Sequence, residues 1–284
     1  MPIESLIAKQ NPDGGWPYAR GASWTEPTAY AILAVLAEGE TRAAERGLGW
    51  MRSAQLPDGG WPPRRGMDRS SWVSALGALL PAERLGAAAH ERAIQWLLRT
   101  SGEETSFTYR LRQWLLGNSP APDQRFAGWP WVPGSAAWVG PTALAVLALE
   151  KEGALRPSSL IRERIDSGRR FLLSRACSDG GWNHGAARTL GCELPAYPET
   201  TGMALLAMRG VRSVKIDQAL EAAQRFLTEC RSADARNWLR LGLLVHGRPP
   251  VDACWREGLR PRTLAEASLE LLAANAEKGR GFWC

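Results

Sequence analysis

Residues 10–16 read QNPDGGW and residues 55–61 read QLPDGGW. DGGW returns at 179–182, and GWPW at 128–131 is a worn copy. Trp16 to Trp61 is 45 residues and Trp129 to Trp182 is 53. The middle gap of 68 calls for an insertion, placed at 101–124 around FTYRLRQWLLG. Self-similarity at such a period marks a repeat architecture, in which each unit buries its apolar face on the next. The Asp-Gly-Gly step supplies the backbone freedom that ends one helix and turns the chain.

A second motif follows each of these tryptophans. It reads WTEPTAYAILAVL at 24–36, SSWVSALGALL at 70–80, WVGPTALAVLAL at 138–149 and YPETTGMALLAM at 197–208. Each is nearly all apolar, as expected of a helix buried on every side. Pro27, Pro141 and Pro198 fall in the first turn, where proline costs no hydrogen bond. Thr25 is placed to cap its helix, and Glu26 and Glu199 complement the N-terminal dipole. The segments ahead of the turns differ. Residues 86–99 and 215–230 mix charge with apolar positions, and Ile216, Leu220, Ala223 and Leu227 form one stripe, which predicts outer helices with a wet face. Two weaker pairs follow, around 232–246 and 249–275. About six outer/inner pairs closing on themselves give one all-α domain over 1–284, a single α/α toroid around a central cavity.

Composition narrows the function classes. Fourteen Trp against five Phe and four Tyr point to a repeated structural device. A net charge of +6 with interspersed signs would attract an anionic ligand, and no nucleic-acid reader motif accompanies it. The five cysteines lack CxxC spacing and read as reduced thiols. The start MPIESLIAKQ lacks the pattern of a signal peptide, no apolar run is long enough to span a bilayer, and no C-a-a-X box surrounds Cys284. A cytoplasmic protein is expected.

The Q-x-P-D-G-G-W turn followed by an inner helix opening on E/P-T-A resembles the QW-type repeat of squalene–hopene and related triterpene cyclases, whose superfamily includes protein prenyltransferase β-subunits. In that family Gln and Trp brace one outer helix against the next. Gln10 and Gln55 keep that spacing, and Ala176 replaces Gln in the fourth copy. The resemblance implies an isoprenoid or similar apolar ligand, protonation by a carboxylic acid, and no cofactor or metal. The family's initiating Asp-x-Asp-Asp-Thr-Ala falls on Trp24-Thr25-Glu26-Pro27-Thr28-Ala29, so Glu26 takes the proton-donating position and Glu199 its counterpart in the fourth repeat. The flanking aspartates are absent. Trp24, Trp72, Trp138 and Tyr197 are the aromatic residues placed to face a cation. Triterpene cyclases sit on one membrane leaflet, and no amphipathic anchor stands out here.

Other chemistries find less support. A zinc prenyltransferase needs Asp-x-Cys and a later His at inner-helix starts, and these starts carry Thr, Ser, Pro and Glu. Cys177, Asp179, His184 and Cys192 cluster without zinc-ligand spacing. Helical toroids also occur in glycan-degrading enzymes working through paired carboxylates, for which Glu26 and Glu199 are the available pair. Arg64, Arg65 and Arg69 precede an inner helix, a place that favours an anion such as a diphosphate head, with the tail in the apolar bore. A non-catalytic toroid, carrying a lipid or binding a protein, stays open beside the enzyme reading.

Overall fold

The computed structural model describes residues 1–105, 111, 115, 126–189, 192–249 and 259–283. Cys254, Cys284 and most of the expected insertion at 101–124 lie outside them. Twelve α-helices occur among the described residues. In chain order they are α1 (Ile3–Ile7), α2 (Thr25–Ala37), α3 (Thr41–Ala54), α4 (Val73–Leu79), α5 (Ala82–Leu85), α6 (Ala87–Arg99), α7 (Val139–Leu155), α8 (Ser159–Ser174), α9 (Pro198–Ala207), α10 (Val214–Glu229), α11 (Ala233–Val245) and α12 (Leu264–Glu277). A two-residue hairpin, β1 (Arg188–Thr189) with β2 (Cys192–Glu193), interrupts one loop.

Six helices, α2, α4, α7, α9, α11 and α12, form an inner ring in which each packs on the next and α12 returns to α2. Helices α3, α6, α8 and α10 pack outside them. The protein is an α/α toroid. The inner helices are buried nearly all round, whereas α3, α6, α8 and α10 bury one face. All four predicted stripe residues of α10 are buried.

The repeat tryptophan ties each unit together. Trp16, Trp61 and Trp182 are fully buried and Trp129 nearly so. Each indole N–H donates to a carbonyl of the preceding helix: Leu6, Met51, Leu97 and Leu172, at 2.6–2.9 Å. The tryptophan's backbone N–H donates to a hydroxyl of the following inner helix: Thr28, Ser74, Thr142 and Thr201, at 2.7–3.0 Å. Its carbonyl accepts from the far end of its own loop, the N–H groups of Trp24, Ser71, Trp138 and Tyr197. Three of the indoles reach back ten residues and that of Trp129 reaches back 32, so the third repeat carries its extra residues between Leu97 and Trp129.

The Gly pair is dictated by these contacts. Gly14 and Gly59 have φ of 93° and 97°, and a Cβ on either would lie 2.4 Å from the carbonyl oxygen of Arg46 or Arg92 on the next outer helix. Gln10 and Gln55 donate to their own turn and across to Ala43 and Ala89, in the next outer helix. These carbonyls lie in the first turn of that helix. Asp13 and Asp58 accept from the indoles of Trp50 and Trp96 on that helix.

Neighbouring units are joined at the inner-helix starts. The N–H groups of Thr25, Trp72, Val139 and Leu264 donate to the carbonyls of Pro63, Trp131, His184 and Tyr18, each two residues past a repeat tryptophan. The last of these, at 2.6 Å, closes the ring between the ends of the chain. It also changes the reading of Thr25. Trp24, not Thr25, is the N-cap residue, and the Thr25 hydroxyl donates instead to Pro62 at 2.5 Å. The helix starts need few side-chain caps because the adjacent repeat satisfies their orphan donors.

The segment 232–246 is one inner helix rather than a helix pair. It lies against α9 at glycine contact: a Cβ on Gly202 would sit 2.3 Å from the backbone of Trp238. Trp61→Ala should cost about 3–5 kcal/mol, since it removes a buried ring and strands its partners. Trp138→Ala, at a position 36% exposed, should cost within about 1 kcal/mol. Urea denaturation of the two variants measures the contrast, and equal losses would contradict the assigned role of the repeat tryptophan.

Candidate functional site

All inner helices start at the same end of the toroid, so their first turns surround one mouth. Four consecutive members of the ring place an acid there: Glu199 on α9, Asp234 on α11, Glu266 on α12 and Glu26 on α2. Glu26, Glu199 and Asp234 stand two residues past the N-caps Trp24, Tyr197 and Ser232. The remaining members, α4 and α7, bring Trp72 and Trp138 instead. Trp131 packs edge-on against Trp72 at 5.1 Å between ring centroids. Tyr18 tilts against Trp24 at 5.6 Å, and His184 against Tyr197 at 5.3 Å. Acids therefore occupy one arc of the mouth, and aromatic rings stand at the starts of α2, α4, α7 and α9.

One helical turn below, the bore is closed. Tyr30 follows Glu26 by four residues and Trp238 follows Asp234 by four, so each lies beneath its acid. Both are buried, and their rings meet edge-to-face at 6.2 Å although α2 and α11 are not ring neighbours. The site is a cup with an aromatic floor, not the open apolar bore expected to take a ligand's tail. Its rim is open: Trp138 is 36% exposed and Tyr197 44%.

Crowded acids shape the electrostatics. Burial, reinforced by Glu199, Glu26 and Glu266, pushes the Asp234 carboxyl up to about 8. Burial also raises Glu26; a hydrogen bond from the Tyr18 hydroxyl opposes this and the Glu199 charge adds to it. The Tyr18 and Tyr30 hydroxyls are raised in turn, by burial first and then by the acids. Asp234 thus holds its proton at neutral pH, a condition for acid catalysis.

The sequence singled out Glu26, Glu199, Trp24, Trp72, Trp138 and Tyr197, and the fold brings all six to this mouth. Arg64 also reaches it, with its guanidinium 5.5 Å from the centre of the Trp24 ring. Arg65 lines a depression of about 530 Å³ with Arg64, Asp13, Ser23 and Trp50. Arg69 donates to the Pro133 carbonyl at 3.0 Å. Arg64 and Arg65 therefore share one hollow, and Arg69 is turned away to Pro133. Cys177, Asp179, His184 and Cys192 form no metal-holding group among the described residues. Sequence reasoning missed Asp234, Tyr18 and Trp131. Asp234 shares the register of Glu26 and Glu199 two residues past the cap, but no GGW turn precedes its helix to flag it.

The architecture is a known one. No protein-family model matches the chain, and no curated protein matches it in sequence. Among solved structures, it is similar to a GH8 endo-β-1,4-glucanase from an Achatina fulica gut metagenomic library, at 16% identity and a TM-score of 0.61, covering 98% of this chain and 97% of that one. The family 8 endoglucanase Cel10 from Klebsiella pneumoniae superposes at a TM-score of 0.60 and 16% identity, over 97% and 98% of the two chains. A variant of the type II terpene cyclase MstE from Scytonema, in complex with its substrate geranylgeranyl dihydroxybenzoate, gives 0.57 and 16% identity over 97% of this chain and 75% of that one. These likenesses establish the toroid fold. Among the described residues no helix is long and apolar enough to cross a membrane.

The raised Asp234 carboxyl has a consequence for stability. The folded protein keeps this proton to about pH 8, the unfolded chain only to about pH 4. The folded state binds more protons in that window, so stability falls as pH rises from about 4 through about 8. Asp234→Asn should melt close to wild type near pH 5 and above it at pH 9. Calorimetric melting curves across this range measure the difference, and parallel curves would contradict the raised carboxyl.

Proposed function

We propose that this toroid is a Brønsted-acid catalyst for an apolar, alkene-bearing, isoprenoid-like substrate. The observation that carries the reading is a buried carboxyl and several aromatic rings at one mouth: Asp234, pushed up to about 8, lies in the first turn of α11, and Trp24, Trp72 and Trp138 stand at the starts of α2, α4 and α7. Asp234 gives its proton to an alkene carbon, and Glu26, which burial also raises, is the second candidate. A C–H bond forms, and the positive charge falls on the neighbouring carbon. The faces of Trp24, Trp72, Trp131 and Trp138 stabilise that cation. A second alkene then closes a ring on it, Glu199 or water takes the final proton, and proton exchange with solvent at the open mouth returns one to Asp234. With the bore closed by Tyr30 and Trp238, the substrate lies across the mouth rather than down the axis.

A second reading, glycoside hydrolysis, is favoured by the open cup, where several carboxylates stand beside exposed rings on which a sugar could stack. Product identity separates the two. Glu26→Gln, Glu199→Gln and Asp234→Asn should all fold. At least one of them should lose about 10²-fold or more in turnover of squalene or a geranylgeranyl substrate, assayed by gas chromatography. Wild-type turnover should fall as pH rises through about 8. Release of reducing sugar from cello-oligosaccharides would favour the second reading. Ligand retained unchanged by the wild type would point to a carrier.

A further inference from the structure

A cavity of about 320 Å³ lies at the same mouth, between the starts of α11 and α12. Arg231, Arg260 and Arg262 line it with Ser232, Ala233 and Glu266. All three arginines are exposed, and their guanidinium groups make no hydrogen bond or ion pair among the described residues. Arg236, one turn along α11, behaves differently, reaching Leu259 and Glu270. Both helix starts are capped by their own hydroxyls, Ser232 to the Ala235 N–H and Thr263 to the Glu266 N–H. The Glu266 carboxylate accepts from the backbone N–H of Arg262 at 2.7 Å. Three cations against one carboxylate leave an excess suited to a doubly charged group, and two helix N-termini add to it.

This cavity adjoins the acid cup. A second hollow, of about 470 Å³, is lined by His184, Tyr197, Pro198, Glu199, Cys230 and Ala235 and shares Arg231 and Ser232 with the first. A group seated among the arginines would place the next part of the same molecule beside Tyr197 and Glu199. We propose that Arg231, Arg260 and Arg262 hold the phosphate or diphosphate head of the substrate, so that the ligand class is a phosphate ester of an apolar alcohol. The assignment rests on the acid-catalyst reading for the fate of the ligand's tail, but head binding is measurable without turnover. It places the anion site apart from the hollow lined by Arg64 and Arg65.

Calorimetric titration with geranyl diphosphate, inorganic diphosphate, geraniol and geranic acid tests this in the intact protein. Geranyl diphosphate should bind more tightly than each of the others. The triple variant Arg231→Ala, Arg260→Ala, Arg262→Ala should weaken geranyl diphosphate and inorganic diphosphate by about tenfold or more. A charge-matched control, Arg42→Ala with Arg162→Ala and Arg212→Ala at the opposite end of the toroid, should stay within about twofold of wild type. Asp234→Asn should keep its diphosphate affinity, so loss of turnover there leaves the head site standing. Equal weakening in both triple variants would overturn the assignment, as would unchanged binding in the first. No diphosphate binding by the wild type, or geranic acid binding as tightly as geranyl diphosphate, would also overturn it.

Discussion

Everything in this molecule hangs on the hydrogen-bonding capacity of one buried tryptophan, used four times. An indole has a single N–H, and an isolated helix leaves its last carbonyls without donors. Setting the ring behind a helix end satisfies both and fixes the distance from one helix to the next. The residue's backbone N–H and carbonyl are then committed to the following inner helix and to the loop between them. Side chain and main chain of Trp16, Trp61, Trp129 and Trp182 thus join three segments each. A ring with a different polar pattern would break at least one of these bonds and leave a buried group unsatisfied.

The position of the chemistry follows from this constraint. Because each loop begins and ends on its tryptophan, the residue that opens the inner helix is delivered to the same place in every unit. That residue is Trp24, Trp138 or Tyr197, and each stands at the rim. Two steps further, the position sits in the first helical turn, where an acid is favoured by the dipole yet crowded by its counterparts around the ring. The loops vary freely in length between their fixed ends. Three nearly invariant anchors per unit can therefore carry different side chains at the mouth, and the same fold serves a glucanase and a terpene cyclase.

The toroid was legible in the sequence because its anchors tolerate so little. Gly14 and Gly59 cannot carry a side chain, and Trp16 and Trp61 cannot lose their N–H, so the letters recur where the geometry does. Glu26 and Glu199 were legible for the same reason, since each follows a GGW turn and opens an apolar helix. Asp234 was not, because α11 follows α10 directly, with a Ser232 cap in place of the tryptophan clamp. The closed bore was hidden for a different reason. Tyr30 and Trp238 touch only after the whole ring has formed, and neither residue's surroundings in the chain announce the other. Thr25 was misread as a cap because the carbonyls that accept from its hydroxyl and its N–H, those of Pro62 and Pro63, belong to the next repeat.

The central claim is that burial, reinforced by the neighbouring acids, keeps one carboxyl protonated at neutral pH at the mouth. Carbon-13 NMR of the aspartate and glutamate carboxyls, followed through a pH titration with Asp234→Asn for assignment, observes this directly. The account predicts a carboxyl resonance that remains in its protonated position at pH 7, moves with a midpoint near 8, and is missing from the variant. A spectrum in which every carboxyl is ionised at pH 7 would contradict it.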